Sequence, residues 1–278
     1  MTDTFLLTLT PRQLPALRGW RATPALLAYR LGPGPHLLRA EGAVPPRGAL
    51  MVVGDQGYDG LGQAGPLCQE LLGECRSRGL AGAVLDFDRR LPPLEAACAR
   101  LDGLFARHGL ALYVPEGYAP AAPHGRVMIP SALSGGSLEL RLEEAGERYG
   151  PERLVLALEL RREDFPLPSP SGGGRPLSRE ELEGMRRRLS PSVFFSRELC
   201  ARYFTYMDGE GAPHFVLFDD GDTLARKAEV ARRAGVRTFL APWTQVAPFA
   251  GRLGIPRLQA PEAGGRRRQR PAPSESSR

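Results

Sequence analysis

Short runs of apolar residues recur along the chain, and they constrain its fold more than any other feature. The runs show little alternation of apolar and polar residues, which is typical of strands buried on both faces. Eight such strands are predicted, over Phe5–Leu9, Leu26–Arg30, Ala49–Gly54, Gly82–Phe87, Leu110–Val114, Val127–Ile129, Leu154–Leu160 and Arg237–Ala241. Between several of them, apolar residues at i, i+3 and i+4 spacing predict helices with one buried face.

Eight strands connected by crossover helices predict an α/β fold, the (β/α)8 TIM barrel, with an open doubly wound sheet as the alternative. Residues at about 161–235 exceed a minimal crossover and contain a capping box (Ser178 with Glu181), aromatic runs and a DGEG hairpin turn. They predict a small α+β insertion before the last strand. Residues 1–260 are therefore expected to form a single barrel domain, and the Pro/Arg/Ser-rich residues 261–278 a disordered basic tail.

Composition excludes several classes of protein. The chain has 278 residues, of which 42% are hydrophobic and 24% charged, which is near the average for soluble globular proteins. No run approaches the roughly 18 apolar residues that a membrane span needs. The N-terminal stretch MTDTFLLTLTP lacks the basic region of a signal peptide, so a cytoplasmic protein is expected.

The charged and metal-ligating residues argue against two further classes. The net charge is +6, and residues 261–278 contribute +3 through five arginines against two glutamates. A nucleic-acid groove is expected to concentrate more charge on the body of the protein, so no nucleic-acid partner is expected. The four cysteines and four histidines lack metal-ligand spacing, so no metal and no other cofactor is expected, and the cysteines are predicted to be reduced core thiols.

Two acidic residues follow the fourth predicted strand. Asp86 and Asp88 are two residues apart, so their side chains are expected to project from the same face. The C-terminal end of a barrel strand opens into the region where barrel enzymes perform their chemistry. Repulsion between neighbouring carboxylates raises the pKa of one of them, which suits a general acid. The alternative is that both cap the following helix or pair with Arg89 and Arg90.

The segment GLAGAVLDFD resembles the strand-four signature of glycoside hydrolase family 18, the chitinase-like barrels. It is most similar to the branch of spore-cortex and peptidoglycan-lytic N-acetylglucosaminidases. Gly82, Asp86 and Phe87 match, and Asp88 stands at the position of the family's catalytic glutamate. A second segment, Tyr203–Trp243, resembles the C-terminal part of those proteins. Its matching residues are His214, Val216, Phe218, Lys227, Gly235 and Trp243.

The resemblance implies that Asp88 donates a proton, that Asp86 orients the acetamido group of the substrate, and that Trp243 forms a platform under a sugar ring. In this family the acetamido group itself attacks the anomeric carbon, unlike the usual two-carboxylate scheme. Asp88 is one methylene shorter than glutamate, and a misplacement of about 1 Å can cost about 100-fold in rate. The segment MIPSALSGG also lacks the tyrosine that the family places on its sixth strand.

These departures predict a catalytically degenerate glycan-binding or structural protein, a pseudoenzyme. The resemblance implies a bacterial protein. The alternative is an active glycoside hydrolase on an N-acetylglucosamine-containing glycan of peptidoglycan or chitin type, and the sequence leaves enzyme activity and any protein partner open.

Other residues near the strand ends could also contribute to a site. Tyr113 and Glu116 at the end of the fifth strand and Asp55 at the end of the third are predicted to bind substrate, with solvation or ion pairing as the alternative for the two acids. For Trp243 the alternative is barrel packing. Glu159 is expected to be buried and paired with an arginine.

Overall fold

The computed structural model describes residues 2–168 and 173–258, so the predicted tail at 261–278 lies outside the described residues. The strands are β1 Thr4–Leu9, β2 Thr23–Gly32, β3 His36–Arg39, β4 Leu50–Gly54, β5 Gly82–Asp86, β6 Ala111–Pro115, β7 Arg126–Pro130, β8 Leu154–Ala157, β9 Arg162–Pro166, β10 Arg175–Pro176, β11 Phe194–Ser196, β12 Ala201–Met207, β13 Pro213–Phe218 and β14 Thr238–Pro242. The helices are α1 Ala64–Arg78, α2 Pro92–Arg107, α3 Leu138–Tyr149, α4 Arg179–Leu189, α5 Gly221–Arg233, α6 Trp243–Val246 and α7 Ala250–Leu253.

Eight parallel strands close into a barrel in the order β1, β2, β4, β5, β6, β7, β8 and β14, and β14 pairs back onto β1. The prediction of a (β/α)8 barrel is confirmed, and each of the eight predicted strands overlaps one strand of the ring. β3 pairs antiparallel to β2 and lies outside the ring. None of the described helices is long and apolar enough to cross a membrane.

The inside of the barrel is filled by alternate residues of its strands. Leu6, Val52, Val84, Tyr113 and Val155 pack together there, while the residues between them pack outward against the helices. This alternation sets the direction of the residues at the mouth, because side chains two apart on a strand share a face. Asp86 follows Val84 by two and therefore points into the mouth.

β5 approaches β6 so closely that one of its residues has to be glycine. A Cβ atom at Gly82 would lie 1.9 Å from the carbonyl oxygen of Ala111, and its φ of 149° is one that L side chains rarely adopt. This close approach fixes the strand that carries Asp86.

The α+β insertion predicted before the last barrel strand is confirmed. Between β8 and β14 the chain forms an antiparallel sheet in the order β10, β9, β13, β12 and β11, and α4 covers one face of it. α4 starts at the predicted capping box, in which the Ser178 Oγ accepts from the Glu181 N–H at 3.0 Å and the Glu181 carboxylate accepts from the Ser178 N–H at 2.7 Å. α5 then leads the chain back into the barrel.

Candidate functional site

Asp86 is an acidic residue at the barrel mouth. Its side chain is exposed to the mouth at the end of β5. The surrounding barrel wall removes part of its hydration, and this desolvation raises the pKa of the Asp86 carboxyl, with the charges of Asp88 and Asp55 adding to the rise. Asp86 therefore holds a proton more readily than an ordinary aspartate.

Asp88 and Asp55 have different environments, although both lie beside Asp86. Asp88 is exposed in the loop after β5, and its carboxylate accepts a hydrogen bond from Gln56 Nε2 at 3.0 Å. Asp55 is only 1% exposed and accepts from the Asp88 N–H at 3.1 Å and the Arg89 Nε at 3.1 Å. Its contacts hold the loop that carries Asp88. Arg89 and Arg90, the alternative partners expected for Asp86 and Asp88, pair with other acids. Arg89 pairs with Asp55 and Arg90 with Glu95.

A cleft of about 530 Å³ opens beside Asp86. It lies against β2, β3 and β4, and the side chains that line it include Leu27, Arg30, Leu38, Arg39, Glu41 and Gln56. Leu27 and Leu38 are 45% and 38% exposed. The volume falls within the usual range for small-molecule sites, and apolar patches between polar groups are typical of their walls. The mouth is thus not filled by its own side chains on this side.

Glu159 reaches the mouth from the opposite wall, and the expectation of a buried, arginine-paired Glu159 is wrong. It lies two residues beyond the end of β8, on the inward side shared with Val155 and Ala157, and it is exposed. It makes no ion pair within the described part of the chain; Arg161 instead pairs with Glu163 at 2.5 Å. Desolvation and then the Asp86 charge raise the pKa of Glu159, against lowering by Lys227 and Arg161.

The structure does not bring the remaining predicted residues into the cleft. Tyr113 is buried among the interior side chains of the barrel, where burial raises its pKa. Glu116 is half-buried and ion-paired with Arg141. Trp243 is 6% exposed and packs edge-on against Trp20, with ring centroids 5.7 Å apart. These contacts match the packing and ion-pairing alternatives, and the substrate-binding roles stay predictions.

Sequence reasoning missed the residues that shape the cleft. Leu27, Leu38 and Gln56 carry no motif, and β3, which supplies Leu38, was not among the predicted strands. The only signal for Glu159 was an acidic residue in an apolar run, which also fits a structural ion pair. Within the described residues, no group of three or more His, Cys, Asp or Glu side chains is arranged to hold a metal ion.

No protein-family model and no curated protein sequence matches the chain. Among solved structures, the chain is similar to a chitinase from Chromobacterium violaceum ATCC 12472, at a TM-score of 0.66 and 14% identity over 91% of this chain and 98% of that one. The spore cortex-lytic enzyme SleL of Bacillus megaterium QM B1551 gives a TM-score of 0.61 and 12% identity over 86% and 70% of the two chains.

A third structure, the putative sporulation-specific glycosylase ydhD from Bacillus subtilis, gives a TM-score of 0.58 and 14% identity over 77% of this chain and 88% of that one. Identities at this level show a shared fold. The resemblance to glycoside hydrolase family 18-type barrels that the sequence indicates is therefore confirmed as a likeness of fold.

Proposed function

We propose that the protein binds an N-acetylglucosamine-containing glycan, of chitin or peptidoglycan type, in the cleft at the barrel mouth. The observation that carries the proposal is the open cleft of about 530 Å³ beside Asp86, at the end of the barrel where ligands of this fold bind. The fold that it shares with chitinases and spore cortex-lytic enzymes supplies the class of ligand. In this proposal Asp86 contacts the sugar and Leu27 and Leu38 offer apolar surface to its ring.

Proton donation by Asp88 is not part of the proposal. The Asp88 carboxylate is shorter than the glutamate that the resemblance implies, and Gln56 holds it by a hydrogen bond in the loop. We therefore propose that the barrel does not catalyse hydrolysis by the route that the resemblance implies. The bacterial origin and the cytoplasmic compartment expected from the sequence stay predictions.

Isothermal titration calorimetry with N-acetylglucosamine oligomers and soluble peptidoglycan fragments tests the proposal. We expect saturable binding, and a loss of affinity of about tenfold or more when the cleft residue is changed in Arg30→Ala, since hydrogen bonds to charged groups contribute about 1.5 kcal/mol or more. The matched control is Arg107→Ala, an exposed arginine at the end of α2. Equal loss in both variants, or no binding by the unchanged protein, would contradict the proposal.

A further inference from the structure

Two inward-facing carboxyl groups lie at the barrel mouth on separate parts of its wall. Asp86 ends β5, the fourth strand of the ring, and Glu159 follows β8, the seventh, so that β6 and β7 lie between them. Three strand spacings place the two backbones about 14 Å apart along the curved wall. No hydrogen bond joins the two carboxyl groups in the described structure, and each side chain is exposed to the mouth. The cleft of about 530 Å³ opens beside Asp86 at this mouth.

Neither carboxyl group has a cationic partner within the described residues, whereas four other acidic residues near the strand ends do. Asp55 pairs with Arg89, Glu116 with Arg141, Glu163 with Arg161 and Asp219 with Lys227. Asp88 forms no ion pair within the described residues either, but its carboxylate accepts a hydrogen bond from Gln56. An unpaired carboxylate in a partly desolvated position costs stability. Titratable groups held in such positions within a cleft are characteristic of functional sites.

We infer that Asp86 and Glu159 are a catalytic pair that hydrolyses the glycan bound at the mouth, with Glu159 as general acid and Asp86 as general base. The inference rests on the proposed function, because it needs the sugar in the cleft beside Asp86. It assigns no proton transfer to Asp88. Asp88 stands where the resemblance implies a catalytic glutamate. Asp86 and Glu159 are then a different pair of acidic groups at the same mouth.

The step is a single displacement at the anomeric carbon. The glycosidic C–O bond breaks as the Glu159 carboxyl gives its proton to the leaving oxygen. A water molecule forms the new C–O bond on the opposite face of the sugar and gives a proton to Asp86. One product has a new reducing end and the other has a new hydroxyl group. Proton exchange with solvent then returns the proton to Glu159 and removes it from Asp86. Two carboxyl groups on opposite sides of the bond, with room for water, give inversion of the anomeric configuration.

The division of roles follows from the surroundings of each group. The charged groups that act electrostatically on Glu159 are Asp86 from β5, Lys227 from α5 and Arg161 from its own segment. Asp219 accepts from the Lys227 ammonium at 2.7 Å, and Glu163 pairs with Arg161, so Asp86 is the one among them without an ion-pair partner. An ionised Asp86 favours the protonated form of Glu159, and the pair then carries one shared proton.

The test uses the full chain with hexa-N-acetylglucosamine and soluble peptidoglycan fragments as substrates. Products are followed by mass spectrometry, and the anomer formed first by proton NMR. We expect cleavage with inversion, and a fall in kcat of about 100-fold or more in Glu159→Gln and in Asp86→Asn, the usual contribution of a general acid or base. Substrate affinity is expected to stay within about threefold in Glu159→Gln, since its amide keeps the shape of the carboxyl group.

Two comparisons separate catalysis from a structural role. Glu144→Gln changes an exposed glutamate on α3 in the same way and is expected to leave the rate unchanged. The rate is expected to show a bell-shaped dependence on pH, whose alkaline limb disappears in Glu159→Gln. A purely structural contribution of Glu159 would lower the rate equally at every pH. Circular dichroism establishes that each variant is folded.

The outcomes distinguish this inference from the proposed function. Binding without cleavage overturns the catalytic pair and leaves the glycan-binding proposal intact. Retention of the anomeric configuration also overturns the pair, because it excludes a single displacement by water. Cleavage that survives in Glu159→Gln and is lost in Asp88→Asn overturns it as well, because the proton then comes from a group other than Glu159. Absence of binding by the unchanged protein overturns both.

Discussion

Two regions of the molecule place acidic groups at the ends of strands, and they treat those groups in opposite ways. At the neck, defined as Asp219, Thr223, Lys227 and the backbone of Arg161, the insertion rejoins the barrel. Asp219 accepts there from Lys227 Nζ at 2.7 Å, Thr223 Oγ1 at 2.8 Å and the Arg161 N–H at 3.1 Å. At the mouth, Asp86 and Glu159 are exposed and make no ion pair within the described residues. The partners of an acidic residue, and not its place after a strand, therefore distinguish a structural role from a chemical one.

Lys227 makes the structural role of the neck unusually clear. It is the only lysine in the chain, although Lys and Arg together number 37, and its side chain is 1% exposed. Arginine occupies every other basic position, which indicates a coding bias towards it. The planar guanidinium is larger than an ammonium group and cannot replace it as a point charge in a closed site. The exception thus falls where the two side chains are not interchangeable.

Breaking the neck is expected to give the largest effect. Lys227→Met leaves Asp219 charged and buried, so we expect a loss of about 3–5 kcal/mol in the free energy of unfolding, measured by urea denaturation. Lys227→Arg is also expected to destabilise the protein. The control is Arg226→Met, which removes an exposed pair with Glu229 (3.0 Å) and is expected to cost about 0–1 kcal/mol. Equal losses in the two Met variants would show that the neck is no different from a surface ion pair.

The loop after β5 gives the next largest effect. Asp55→Ala removes the buried acceptor for the Asp88 N–H and the Arg89 side chain, and we expect a loss of about 1–3 kcal/mol because these partly buried donors lose their partner. Asp88→Ala, a change at the exposed residue next to it, is expected to cost about 0.5 kcal/mol or less. The same denaturation measurement compares them. A larger loss in Asp88→Ala than in Asp55→Ala would show that Asp88, and not Asp55, holds the loop.

Trp243 tests whether the mouth extends to the eighth strand of the ring. Trp243→Phe is expected to lower the free energy of unfolding by up to about 1.5 kcal/mol, since a smaller ring fills the site against Trp20 less well. Because the side chain is buried, we expect unchanged affinity for N-acetylglucosamine oligomers in calorimetry. A several-fold loss of affinity in a variant of normal stability would instead support the sugar platform that the sequence resemblance implies.

The sequence predicts the barrel much better than it predicts the mouth. Apolar runs locate all eight strands of the ring because burial on both faces leaves a local pattern, and the capping box at Ser178 is likewise local. Partners are set by contacts far apart in sequence. Asp55 bonds to a loop 33 residues away and Asp219 to a backbone 58 residues away, so neither role could be read from its own segment.

Glu159 shows the same limit in a single residue. Its apolar neighbours predict a strand through Leu160, and such a strand would place the acid inside the barrel. The observed strand ends at Ala157, so Glu159 lies above the packed interior and is exposed. A shift of three residues in a strand end thus changes the interpretation from a buried ion pair to an acidic group at the mouth.

The smallest expected effect is the loss of stability that the charge of Asp86 causes in the folded protein. The pKa of Asp86 is raised above its ordinary value near 3.8, so the folded protein binds its proton more tightly than the unfolded chain does. Its contribution to stability is therefore greatest in acid and decreases as the pH rises through the raised pKa. Asp86→Asn removes the charge, and we expect a slightly higher melting temperature than that of the unchanged protein at pH 7.

The difference between the two proteins is expected to shrink as the pH falls towards the ordinary value for aspartate, because the neutral fraction of Asp86 then rises in both states of the unchanged protein. Melting curves between about pH 4 and pH 7 measure it, with Glu144→Gln as an exposed control that should show no such trend. A lower melting temperature for Asp86→Asn at neutral pH would mean that its charge has a stabilising partner. The mouth would then resemble the neck, and the carboxyl groups there would no longer support a chemical role.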